Sequence, residues 1–109
     1  MTPCQTIVCI DSNPMHAWLL AKFLEPYAAC VKLAHTGEAG VALVSEQSPD
    51  IIILDLVMPG LSGHAVLEQV RDARSHIIIQ SAYKTDIDLT VIQKPFRPAE
   101  LRACLEKII

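Results

Sequence analysis

Three short segments of this chain, Ile7–Ile10 (IVCI), Ile51–Leu54 (IIIL) and Ile77–Ile79 (III), are apolar at every position. Successive side chains of a β-strand point to opposite faces, so a strand that is apolar throughout must be covered on both sides. That happens at the centre of a parallel sheet sandwiched between helices. Two further runs, rich in Val, Leu and Ala, complete a set of five predicted strands: Thr6–Ile10, Cys30–Ala34, Ile51–Leu54, Ile77–Gln80 and Leu89–Gln93. Helical patterns alternate with them. The first starts near Pro14 with Asn13 as cap, and its apolar stripe takes in Met15, Trp18, Leu19, Phe23 and also Leu20, as core. The second spans about Glu38 to Gln47. The third follows Pro59-Gly60 with Ser62 as cap and turns Val66, Leu67 and Val70 inward. The last starts at Pro98 with the stripe Leu101, Leu105 and Ile108.

Strands alternating with helices imply right-handed crossovers and a doubly wound α/β fold with the five-stranded order 2-1-3-4-5. The stretch between the fourth and fifth strands is too short for this scheme. Only Tyr83–Asp88 (YKTDID) remains, less than two helical turns, so a loop or single turn is expected in place of a helix. The 109 residues read as one domain, 1–109, with 51% hydrophobic residues, enough for a real core. A formal net charge of -3 without runs of like charge argues against binding nucleic acid or an anionic membrane. No apolar run nears the ~20 residues of a spanning helix. The N-terminal MTPCQT lacks the basic-then-apolar order of a secretory signal, so a cytoplasmic location is expected. The cysteines (Cys4, Cys9, Cys30, Cys104) form no CxxC pair and read as free buried thiols, and the four histidines receive no ligand role. Neither GxxxxGK[ST] nor GxGxxG occurs, so nucleotide binding is not indicated.

Four of the five strands run into a polar residue. Asp11 follows the first, Asp55 the third, Ser81 the fourth and Lys94 the fifth. Open parallel sheets bind ligands beyond the carboxyl ends of their strands, where the strand order reverses. In the order 2-1-3-4-5 the reversal falls between strands one and three, which carry Asp11 and Asp55. Two carboxylates brought together call for a cation, and Mg²⁺ suits hard oxygen ligands. Lys94 adds a fixed ammonium and Ser81 a hydroxyl. Such a set suits a phosphoryl group, whose oxygens are neutralised while a carboxylate attacks in line. Plainer roles exist for each residue: Asp55 and Ser81 as turn formers, Asp11 as a cap, Lys94 as a solvated lysine.

The segment Asp55–Gly63 (DLVMPGLSG) resembles the phosphoacceptor segment of response-regulator receiver domains. Lys94-Pro95-Phe96 is similar to their lysine–cis-proline signature, and Ile10–Pro14 (IDSNP) to their acidic first turn. The resemblance covers essentially the whole chain and implies a flavodoxin-like fold. It implies that Asp55 is phosphorylated by a sensor histidine kinase or a phosphotransfer protein. Mg²⁺ would be held by Asp11, Asp55 and the backbone carbonyl of Val57. Ser81 would sense the phosphoryl group and Lys94 would pair with its oxygens. Output would pass to a downstream protein partner, with a homodimer left open. The domain would be a phosphoacceptor and not an enzyme in the usual sense, although self-phosphorylation and hydrolysis are expected of it.

Three departures stand out. Ser12 occupies the place of the family's second acid, Val91 that of its aromatic switch residue, and the fourth helix is missing. IIIQSAY followed by a helix-poor segment and VIQKPF is similar to an atypical receiver subgroup, in which Tyr83 would take over as switch. The departures also motivate an alternative, a pseudo-receiver that binds proteins without being phosphorylated. A metal-dependent phosphatase would want a second aspartate two residues after Asp55, where Val57 stands.

Overall fold

The computed structural model describes residues 4–71, 74–94 and 97–108. In chain order the elements are β1 (Cys4–Ile10), α1 (Pro14–Leu24), a 3₁₀ turn (Glu25–Tyr27), β2 (Ala28–Ala34), α2 (Gly37–Gln47), β3 (Ile51–Asp55), α3 (Gly63–Val70), β4 (His76–Ser81), β5 (Thr90–Gln93) and α4 (Pro98–Ile108). All strand pairings are parallel and the order is β2-β1-β3-β4-β5. Residues 82–89 form neither helix nor strand, as the short spacing required. Ile87 and Leu89 from this stretch pack against the core, taking the place of a helix's apolar face.

The fully apolar strands divide by parity. Val8, Ile10, Ile52, Leu54, Ile77 and Ile79 join Val44, Val66, Leu67 and Val70 in one layer, beneath α2 and α3. Ile7, Cys9, Ile51, Ile53 and Ile78 join Leu20, Leu24, Leu101 and Leu105 in the other, beneath α1 and α4. The predicted caps are present as well. The Asn13 side chain accepts from the N–H groups of Met15 and His16, and the Ser62 hydroxyl accepts from Ala65 N–H.

The face of α1 differs from the expectation. Ala17, Leu20 and Leu24 are buried, whereas Met15 is 66% exposed and Trp18 and Leu19 are each 52% exposed; Phe23 is half-buried. The helix sequence PMHAWLLAKFL is apolar at most positions, so periodicity alone does not single out a stripe. The buried stripe is Ala17, Leu20 and Leu24, at three- and four-residue spacing, which leaves Met15, Trp18 and Leu19 on the solvent side. Trp18 is covered in part by Lys22, whose ammonium lies 5.6 Å from its ring centroid. The cysteine expectation also needs correction. Cys9 is buried, with its thiol pushed up to about 12 by burial and by the nearby Asp11, but Cys30 and Cys104 are only half-buried. All three are free, and the Cys4 side chain lies outside the described residues. No helix among the described residues is long and apolar enough to cross a membrane.

Two glycines shape the loop between β3 and α3. A Cβ on Gly63 would lie 2.3 Å from the Leu56 Cα and 2.4 Å from the Asp55 carbonyl oxygen, both backbone atoms that cannot step aside. Gly60 faces open space but has φ +75°, where an L side chain is strained. Gly63→Ala should therefore destabilise the fold by about 3 kcal/mol or more. Gly60→Ala should cost no more than about 1–2 kcal/mol. Urea unfolding of both variants checks the order, and an equal cost would contradict the close-approach argument.

Candidate functional site

β1 and β3 lie side by side at the point where the chain's crossovers diverge to the two faces of the sheet. Asp11 follows β1 directly, and its N–H extends the ladder to the Ala34 carbonyl at 2.9 Å. Asp55 ends β3. Both are removed from water, with Asp11 0% and Asp55 5% exposed. Lys94, just past β5, reaches over them: its Nζ is 2.8 Å from Asp55 Oδ2 and 4.0 Å from Asp11 Oδ2. Its own N–H donates to the Ser81 carbonyl at 2.6 Å, which ties the lysine backbone to the end of β4. The three charged residues expected from the sequence are therefore gathered at the carboxyl end of the sheet.

The remaining carboxylate oxygens have specific partners. Asp55 Oδ1 accepts from the Val57 N–H at 3.1 Å, so Val57 sits immediately beside the carboxylate, with its side chain largely exposed. Asp11 Oδ1 accepts from the Asn13 N–H at 2.9 Å. Asp11 Oδ2 is bonded by His16 Nδ1 from α1 and by Gln80 Nε2 from β4, the latter at 3.2 Å. The neighbouring His35 Nδ1 donates to the Asp11 carbonyl at 3.2 Å. Burial by itself would raise the Asp11 carboxyl. The bonds from His16 and Asn13, together with the charge of Lys94, outweigh burial and hold it below the usual carboxylate value.

Ser81 is placed at the end of β4, as expected, but its hydroxyl is engaged locally. Its Oγ donates to the Tyr83 carbonyl at 2.7 Å and accepts from the Tyr83 N–H at 3.1 Å, closing a tight turn. Tyr83 is 70% exposed. The structure therefore brings the Ser81 hydroxyl and Tyr83 together, while Ser81 joins the Asp11–Asp55–Lys94 group only through its backbone carbonyl, which accepts from the Lys94 N–H. Pro95 and Phe96, which complete the KPF segment, lie outside the described residues.

Two residues of the site escaped the sequence reading. His16 was given no role, because nothing in its spacing pairs it with Asp11; only the first turn of α1 folding back does so. Gln80 was read simply as strand, although a signal was present: a polar residue in a strand buried on both faces must find a partner inside. A cation fits the donor set. Among the described residues no three His, Cys, Asp or Glu side chains gather as a metal cage. What is offered is two carboxylates, hard oxygen donors that match the habit of Mg²⁺, which uses one or two carboxylates and keeps much of its water.

Comparison with known proteins agrees with this geometry. The family model described as "Response regulator receiver domain" matches residues 7–106. Protein PilH of Pseudomonas aeruginosa is 36% identical over 73 residues, covering 66% of this chain and 60% of PilH. The probable C4-dicarboxylate response regulator DctR of Bacillus subtilis is 33% identical over 115 aligned residues, covering 93% of this chain and 50% of DctR. The chain thus spans less than two thirds of the length of these relatives. Among solved structures, the receiver domain of the sensor histidine kinase PA1611 from Pseudomonas aeruginosa superposes with a TM-score of 0.83 at 24% identity, covering 96% of this chain and 97% of that one. With its strand order, its paired aspartates and its lysine in place, the chain belongs to the response regulator receiver domain family.

Proposed function

We propose that Asp55 accepts a phosphoryl group from the phosphohistidine of a sensor histidine kinase or a phosphotransfer protein, in a reaction assisted by Mg²⁺. The observation that carries this reading is the Lys94 ammonium 2.8 Å from Asp55 Oδ2, with the buried Asp11 carboxylate alongside. An Asp55 carboxylate oxygen attacks phosphorus and the P–N bond to the donor imidazole breaks. The bonding pair leaves with the imidazole nitrogen, which takes up a proton, and the product is an acyl phosphate on Asp55. Lys94 faces the phosphoryl oxygens in product as in reactant and offsets their charge. The Val57 N–H fixes Asp55 Oδ1 and so leaves the other oxygen to act as nucleophile once Lys94 shifts to the phosphoryl group. Asp11, Asp55 and the Val57 carbonyl would hold Mg²⁺, which supplies charge neutralisation at the phosphoryl oxygens when bound. The PA1611 receiver domain is described with a magnesium ion coordinated in its active site cleft, which supports the same assignment here.

Ser81 gives the reading its output. For its hydroxyl to donate to a phosphoryl oxygen it must leave the Tyr83 carbonyl, which then loses its donor. The turn that starts residues 82–89 is thereby rearranged, and Tyr83 with it. Phosphorylation is read out as a change in the surface that this segment offers a downstream protein. One observation favours the pseudo-receiver instead: Ser12 leaves the site with only two carboxylates for a cation.

Incubation with a small-molecule phosphoryl donor should give, by intact mass, a single Mg²⁺-dependent phosphoryl adduct that is absent in Asp55→Asn. No adduct from either a small donor or a kinase would favour the pseudo-receiver. Lys94→Ala should slow adduct formation about a hundredfold or more. Ser81→Ala should still form the adduct, but the phosphorylation-dependent change in amide hydrogen exchange across residues 82–89 should vanish. If that change persisted, Ser81 would not be the sensor.

A further inference from the structure

Among the described residues, Gln80 is a buried side chain beside the site whose chemistry is only half used. It sits in β4 between Ile79 and Ser81 and is 1% exposed. Its Nε2 donates to Asp11 Oδ2. The orientation of the amide follows from the partner: a carboxylate oxygen has only lone pairs to offer, so the amide must present its NH₂ group. The other end, Oε1, is then fixed by the same planar group. It is buried without a hydrogen-bond partner among the described residues. A buried acceptor left unpaired costs stability, and a leucine would fill this place in an apolar strand without that cost. The orphan oxygen belongs to the same amide that bonds Asp11, at a place where two carboxylates meet over Lys94 and where Ser12, next to Asp11 in sequence, carries a neutral hydroxyl and not a third carboxylate.

The geometry points to Gln80 as a positioning residue for the divalent cation, its Oε1 accepting a hydrogen from a water molecule in the cation's coordination shell while its Nε2 holds Asp11. This rests on the reading of the site as Mg²⁺-assisted. Magnesium retains several waters when bound by few carboxylates, and cation-bound waters are strong hydrogen-bond donors. A neutral amide oxygen is a suitable acceptor for one of them, because it adds no further negative charge to the two already buried. The amide thus joins Asp11 to the cation through both of its ends, a pattern familiar from groups that orient metal ligands from outside the coordination shell.

The experiment is a calorimetric titration with MgCl₂ of the unaltered chain, Gln80→Leu and Gln80→Glu, with melting temperatures recorded without metal. Leu removes both the donor and the acceptor, whereas Glu removes the donor, keeps an acceptor oxygen and adds a negative charge. The inference expects Gln80→Leu to melt no lower than the unaltered chain yet bind Mg²⁺ about tenfold more weakly. It expects Gln80→Glu to bind at least as tightly as the unaltered chain. If both variants weaken binding equally, Gln80 acts only through its bond to Asp11 and the inference is overturned. It is also overturned if Gln80→Leu binds as the unaltered chain does. If the unaltered chain binds no Mg²⁺ at millimolar concentration, the metal-assisted reading itself falls and takes this one with it; a failure confined to the variants leaves that reading standing.

Discussion

Two carboxylates taken out of water at the end of a hydrophobic sheet are the expense around which this molecule is organised. Removing a charge from water costs several kcal/mol even after local relaxation, and like charges add repulsion. Asp11 and Asp55 tolerate this because each oxygen has a donor and because one ammonium serves both. Lys94 can serve both only if β5 ends beside β4, which is why its backbone is tied to the Ser81 carbonyl. The register of all five strands thus converges on a few ångströms of electrostatics. Among the described residues, the same arrangement leaves Lys94 as the one ammonium that both carboxylates face.

The sheet was legible in the sequence because burial on both faces leaves an unambiguous mark. IVCI, IIIL and III have no polar position to spare, and the structure distributes them by parity between two layers. Asp11, Asp55 and Lys94 were legible because they interrupt those runs at equivalent points. The face of α1 was not, since a helix apolar nearly all round carries no periodic signal that separates Ala17, Leu20 and Leu24 from Met15, Trp18 and Leu19. His16 and Gln80 were missed for a different reason. Each meets Asp11 across a distance in sequence that no local pattern encodes, five residues around a helix cap in one case and 69 residues across the sheet in the other.

The stretch between β4 and β5 shows how little is needed to close this side of the fold. Ile87 and Leu89 supply the apolar contact that a helix would otherwise give, and the Ser81–Tyr83 turn supplies the polar one. Eight residues without a helix's regular hydrogen bonds rest on these few contacts, so each of them matters more.

The packing of Gly63 against the backbone of Asp55 and Leu56 has a mechanical consequence. With backbone against backbone, the joint at the start of α3 has no side chain that could give way, and Asp55 is mounted directly beside it. On the other side of Asp55, the turn after β4 is held by exchangeable hydrogen bonds. A push at the carboxylate is therefore resisted on one flank and relayed along the other. The fold works as an anvil with a spring beside it, so the direction in which strain leaves the site is set before any partner arrives.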